Sequence, residues 1–336
     1  MSGTAPRVHL LTRYNDVKRV LRDASTFASE REGLSHPLLS ASDGDRHRRL
    51  RSALQEALSR DVIDELRPAL IAMSSRTAST LPHDRVIDLV EGYITPVVNS
   101  AFARLLGLAD GDASWFYAAL ATGDARLDDE LRQHLGRTDR PPPDVIGRLR
   151  RAGLDEDTEL LPHVRMLLGA GGGTTIDLIA GTIASLLDDR ARWSRVVDDR
   201  GLLDRALDES LRQRAPAPMI ERRARRALDI GGCPIGAGDV VIAALASANR
   251  DPDVFADPWA FELGRDRTQP HLAFGSGPHS CLGAPWVRAV GGAAIDALLT
   301  QAPGTTLEPG GAERDRTGLV DGGLRRLAVR LGPPHL

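Results

Sequence analysis

Two stretches of this 336-residue chain carry residue types that could do chemistry. The first is AFGSGPHSCLG, residues 273–283, where three glycines, a proline, a histidine and Cys281 are crowded into eleven positions. A thiol ligates a metal only as the thiolate, and a thiolate withdrawn from water needs compensation. Glycines let the backbone turn tightly enough for several N–H groups to point at one sulfur, and let such a loop lie close to a flat cofactor. The stretch that follows, APWVRAVGGAAIDALL (284–299), reads as a helix with Pro285 suited to its first turn. Cys281 therefore stands just before a helix N-terminus, whose dipole favours an anion. A thiolate so held is what one kind of haem iron takes as its axial ligand. The plainer alternative is a buried structural cysteine in a loop, the commoner case for an arbitrary cysteine.

The second stretch is LLGAGGGTTIDLIAG, residues 167–181, inside a long apolar run. Three consecutive glycines within a helix cost on the order of 1 kcal/mol each relative to alanine, so they need a reason. One reason is a bend in the backbone that opens a groove for water or oxygen. The other is a patch of small residues where helices pack. A nucleotide loop is excluded: counted from Gly169, G-x-G-x-x-G fails at its last position, no G-K-[ST] follows, and no strand leads in.

The elements that must position these residues are mostly helical. Apolar residues recur at three- and four-residue spacing in 14–23, 45–81 and 88–108, and further helices are expected at 126–135, 145–153, 158–188, 191–197 and 201–214. The texture changes after RAPAP: ALDIGGCPIGAGDVVIAAL (227–245) has strand-like runs separated by glycine turns, a small β region. No internal repeat or long polar linker divides the chain, so one helix-rich domain with a minor sheet is expected over residues 1–336. The apolar run 166–187 contains Asp177 and many small residues, and it reads as a buried helix rather than a membrane span. No signal peptide or membrane anchor is read in the N-terminal residues. A net charge of -3 with interleaved arginines and acids, and 4% aromatic residues, argue against a nucleic-acid partner. Two cysteines, Cys233 and Cys281, without a CxxC pair, make a reducing cytoplasm the default location.

Phe274, Gly277, Cys281 and Gly283 together form F-x-x-G-x-x-x-C-x-G, which resembles the haem-ligand signature of the cytochrome P-450 family, with the arginine expected in the next helix at Arg288. Other stretches fall into that family's order. ESLR supplies Glu209 and Arg212 of an E-x-x-R, and the segment 248–265 brings in Arg265 as third member of a buried charge network. DGDRHRRLR places His47 and Arg51 four residues apart on one helix face, as two donors to the haem propionates must lie. ERRARRALDIGG aligns Arg222 as a further propionate donor, with Arg223 one register away, and His279 is another donor in the cysteine loop. The resemblance spans essentially the whole chain. It implies a mainly α fold, a helix-rich triangular prism with a small β region, and haem b ligated by Cys281 and framed by Phe274, Gly275 and Gly283. It also implies a monooxygenase that oxidises a small organic or natural-product substrate, with electrons from NAD(P)H through ferredoxin and a ferredoxin reductase. Ala170 would lie against both cofactor and substrate, and Pro218, Met219, Ile220 and the loop 26–42 against substrate. Thr174 would assist proton delivery.

The chain departs from the family pattern in several places. A-G-x-(acid)-T-T is usual in the long helix, but here Gly173 replaces the acid ahead of Thr174 and Thr175. Thr174 with ordered water, or Asp177 one turn on, would have to serve instead. Otherwise the enzyme uses peroxide, or runs a haem-thiolate dehydration, isomerisation or coupling. A non-catalytic haem-binding protein is the third reading. Only about a dozen residues precede the 14–23 helix, where family members carry an additional helix and strand. The region between Arg51 and Thr174 is also short, the lost part falling around 112–137, where the family has its lid helices, and Val290 replaces an acid after Arg288. A smaller lid and a bulky or carrier-presented substrate are expected.

Overall fold

The computed structural model describes residues 5–30, 38–108, 113–137, 143–314 and 323–332. Along them run β1 (Val8–Leu11), α1 (Tyr14–Arg22), β2 (Phe27–Ala28), α2 (Gly44–Ala57), α3 (Arg60–Ser79), β3 (Val86–Asp88) and α4 (Thr95–Leu105). Next come α5 (Ala113–Thr122), α6 (Leu127–Leu135), α7 (Val145–Arg151), α8 (Leu161–Leu187), α9 (Arg190–Asp198) and α10 (Leu203–Gln213). The chain ends through β4 (Ile220–Ala224), β5 (Leu228–Ile230), β6 (Cys233–Ile235), β7 (Val240–Ala243), α11 (Leu245–Ala248), α12 (Ala284–Gln301), β8 (Thr306–Arg314) and β9 (Leu324–Arg330). These elements form two compact units, Met1–Leu50 with Asp208–Cys281, and Arg51–Leu207 with Leu282–Leu336.

The first unit is built on a four-stranded sheet in the order β1-β7-β4-β2. Strand β1 runs parallel to β7, from Val8 opposite Val240 to Leu11 opposite Ala243, and β4 pairs antiparallel with β7. Helix α1 packs through Tyr14, Val17, Val20 and Leu21, a spacing that puts all four on one face. Its first turn lacks a cap from its own sequence. Asp251 supplies one, its carboxylate accepting the Tyr14 N–H at 2.8 Å. Leu11, Phe27, Val241, Leu245, Phe255 and Leu272 complete this core. The β5–β6 hairpin turns through Gly231 and Gly232 at φ +58° and +83°, a left-handed pair that side chains resist.

The second unit is helical around α8, which packs on α4 and α12, while α12 packs along α3. Its β3-β9-β8 sheet closes one edge. Asp144 caps α7 by accepting the Gly147 N–H at 2.8 Å, and Asp189 caps α9 through the Ala191 N–H at 2.9 Å. Among the described residues one helix, Thr158–Leu187, is long and apolar enough to cross a membrane, and half of its most apolar window is buried inside the protein.

The expected helix over 45–81 is two helices, because Ser59 takes an extended conformation, φ -64° and ψ 163°, just before α3 begins. Helices α5 and α6 stand where a reduced lid is expected. Part of the loop 26–42 assigned to substrate lies outside the described residues.

Candidate active site

The cysteine loop belongs to the first unit over residues 273–281, up to and including the thiol. Its backbone closes on itself: the Cys281 N–H donates to the Phe274 carbonyl at 2.8 Å, and the Gly275 N–H to the Leu272 carbonyl at 2.8 Å. Gly275 and Gly277 adopt φ +70° and +76°, so both glycines are conformational requirements. Gly277 is also a steric one. A Cβ there would sit 2.8 Å from the Cα of Arg22 and the carbonyl of Leu21, backbone atoms at the end of α1 that cannot yield. Cys281 itself is exposed and in no disulfide. Gly283, in the second unit, is the residue before α12, and the Val287 N–H donates to its carbonyl at 2.9 Å.

Two histidines from distant parts of the sequence meet beside this loop within the same unit. The rings of His47, on α2, and His279 lie 4.1 Å apart between centroids, and both residues are nearly buried. His279 Nε2 is 3.0 Å from Asp43 Oδ1. Asp43 also accepts the Ser29 and Glu30 N–H groups at 2.8 and 3.1 Å and pairs with Arg225 at 2.9 Å. Burial pushes its carboxyl up, but the hydrogen bonds from Glu30, His279 and Ser29 outweigh this and leave it below the usual carboxylate range. The sequence reading missed Asp43. Its signal was available: an acid directly ahead of the helix that carries His47 and Arg51.

Strand alternation separates Arg222 from Arg223. Arg222 is buried on β4, its Nη1 donating to the Glu221 carbonyl at 2.8 Å, whereas Arg223 faces water and donates to the Gly238 carbonyl. A guanidinium is taken out of water this far only where polar partners await it. Arg51, in the second unit, lies one turn beyond His47 on α2 and is half-buried. Pro218, Met219 and Ile220 lead into β4, all partly buried, and the Pro218 carbonyl accepts the Ala246 N–H at 3.0 Å.

Glu209, Arg212 and Arg265 form one network. Arg212 grips Glu209 with two parallel bonds of 2.9 and 2.8 Å, and Arg265 Nε reaches the same carboxylate at 2.9 Å. The remaining guanidinium protons go to backbone carbonyls, Arg212 to Asn249, Pro258 and Ala260, and Arg265 to Ala256, Asp257 and Ala260. Asp257 holds φ +47°, the only positive value at a described non-glycine residue. Charge and hydrogen bonds are satisfied together, the condition under which a buried ion pair persists.

The glycine run of α8 lies in the second unit and has a different logic. A Cβ at Gly171 would run into the Phe102 ring, and one at Gly172 would sit 2.6 Å from Tyr117 Cε1. Nothing lies within 4 Å of the position a Cβ would take at Gly173. Two of the three glycines are thus notches for aromatic rings of α4 and α5, and the third faces open space beside exposed Ala170. The helix remains continuous through all of them. Thr174 Oγ1 donates to the Ala170 carbonyl at 2.7 Å, and buried Thr175 to the Gly171 carbonyl at 2.6 Å. The Tyr117 hydroxyl is buried without a partner among the described residues, and burial pushes it far above the ordinary phenol range. Asp177 is committed elsewhere: its carboxylate lies against Gly323, and its charge bears on Arg314 of β8.

The first unit thus offers an exposed thiol in a loop that admits no side chain at Gly277, two buried imidazoles and a buried guanidinium. That donor set fits a flat, sulfur-ligated cofactor carrying carboxylates.

The family model described as Cytochrome P-450 matches residues 187–287. The chain is 30% identical over 327 residues to the cyclomarin C epoxidase CymV of Salinispora arenicola, covering 87% of this chain and 82% of that one. It is 32% identical over 310 residues to the cytochrome P-450 monooxygenase PikC of Streptomyces venezuelae, covering 85% and 74% of the two chains. The ligand-free structure of cytochrome P-450 TbtJ1 superposes with a TM-score of 0.87 at 31% identity, covering 97% of this chain and 92% of that one.

Proposed function

The chain belongs to the cytochrome P-450 family of haem-thiolate monooxygenases, and on that premise we propose which of its residues hold the cofactor and what it oxidises. Cys281 would hold the haem iron through its sulfur. The observation that carries this assignment is the loop around it: an exposed thiol, a self-closing backbone and a glycine that admits no side chain. Phe274, Gly275 and Gly283 would frame the ligand, His47, Arg51, Arg222 and His279 would donate to the cofactor's carboxylates, and Glu209, Arg212 and Arg265 would hold the scaffold that carries the cysteine loop. Haem b, when bound, supplies dioxygen activation and the insertion of one oxygen atom into substrate. Thr174 Oγ1 holds a proton next to the open space left by Gly173, and water there passes it on. Electrons come from NAD(P)H through ferredoxin and its reductase, in the cytoplasm.

The substrate is a small organic or natural-product molecule, bulky or presented on a carrier, contacted by Ala170, Pro218, Met219 and Ile220. The relative that epoxidises cyclomarin C supports the natural-product class. One observation favours a second reading. Gly173 leaves no carboxylate at the family's acid position, and Asp177 is engaged with Gly323 and Arg314. A peroxide-driven reaction needs no such relay.

The reduced protein with carbon monoxide is expected to show the strongly red-shifted Soret band of thiolate ligation, lost in Cys281→Ala. A band unchanged by that substitution overturns the assignment. Turnover with hydrogen peroxide, and none with NADPH, ferredoxin and reductase, selects the second reading.

A further inference from the structure

The other cysteine, Cys233, opens β6 at the end of the glycine turn and is half-buried. Its Sγ lies 3.4 Å from His9 Nδ1, and His9 Nε2 lies 2.8 Å from Asp239 Oδ2. Asp239 is itself fixed. Gly236 N–H donates to Oδ2 at 2.8 Å, Arg7 N–H to Oδ1 at 3.0 Å, and the Arg7 guanidinium stands at 3.2 Å. The hydrogen bond from His9, with those of the Gly236 and Arg7 amides, holds the Asp239 carboxyl far below the ordinary range. An ionised Asp239 accepts a hydrogen bond from Nε2–H, which assigns the neutral tautomer with its bare Nδ1 facing the sulfur.

Three strands fix this relay. His9 sits on β1 opposite Val241, Asp239 directly precedes β7, and Cys233 pairs with Ile230 across the hairpin. The whole arrangement lies in the first unit. A nucleophile bonded to a base that a third group orients is the pattern by which proteins activate a weak nucleophile. A thiol kept only for packing has no need of a carboxylate behind its partner, because sulfur is a poor hydrogen-bonding group. Gly231 and Gly232, the two residues before Cys233, are both exposed, and nothing lies within 4 Å of the position a Cβ would take at Gly232.

We propose that Cys233 is a modification site for small hydroperoxides, with His9 as its base and Asp239 as the positioning residue. Sulfur attacks one peroxide oxygen, the S–O bond forms and the O–O bond breaks. Sulfur loses two electrons and the peroxide gains them. The thiol proton passes to His9 Nδ1 and then to the departing oxygen, leaving water or an alcohol and a Cys233 sulfenic acid. Nothing in this step depends on the haem assignment.

The test treats the holoprotein with substoichiometric hydrogen peroxide and a sulfenic-acid trap, then maps both cysteines by peptide mass spectrometry. Cys233 in the native protein is expected to react about a hundredfold faster than the same cysteine in the denatured chain. His9→Gln should remove most of that advantage, and Asp239→Asn about tenfold of it. Native Cys233 reacting no faster than in the denatured chain overturns the proposal, as does labelling confined to Cys281. The comparison of native with denatured protein stands even if a variant fails to fold.

Discussion

The cysteine loop and the glycine run of α8 use the same residue for opposite purposes. In the loop, Gly275 and Gly277 serve the chain's own path: both are left-handed, and Gly277 lies against the backbone of α1. In α8 the backbone is ordinary helix, and Gly171 and Gly172 serve other residues, the rings of Phe102 and Tyr117. A glycine that bends its own loop is local information. A glycine that makes room for a ring some fifty-five or seventy positions away is not.

The largest effect that would sharpen this contrast is expected at Gly277. Alanine there meets both a disfavoured φ and backbone atoms at 2.8 Å. A loss of about 3 kcal/mol in denaturant unfolding should result, against about 1 kcal/mol for Gly275→Ala, whose nearest neighbour would be 3.7 Å away. Equal losses at the two positions would break the steric half of the argument. Gly172→Ala should cost less, about 1 kcal/mol net, because overpacking against Tyr117 is partly offset by better helix propensity. Combining it with Tyr117→Ala should recover the cost of overpacking, and strictly additive losses in that cycle would show that the ring does not explain the glycine. Gly173→Ala, with open space around it, should stabilise by up to about 1 kcal/mol. A destabilised variant would mean that the position needs glycine for its own sake.

The same contrast sets what was legible in the sequence. F-x-x-G-x-x-x-C-x-G lies within ten residues, and E-x-x-R spans one helical turn, so local spacing identified them. Arg222 and Arg223 are one register apart in the sequence, and only the pairing of β4, which buries alternate residues, makes one of them buried and the other exposed. The sequence alone left two explanations open for the three glycines, and the structure divides them: packing for Gly171 and Gly172, open space for Gly173. Asp43 was passed over because its partners Ser29, Arg225 and His279 are scattered along the chain. Strand β1 was missed for a similar reason: its partner β7 is some 230 residues away, and four residues with no hairpin turn give no periodic signal. The hairpin of β8 and β9 was likewise not anticipated.

Between Asn249 and Arg265 the backbone follows no helix or ladder over most of its length, yet its carbonyls are held by Arg212 and Arg265, and both guanidiniums close on the single carboxylate of Glu209. Such a stretch cannot fray one turn at a time as a helix end does. Its amide protons should trade with solvent deuterium at nearly one common rate, set by the opening of the whole segment.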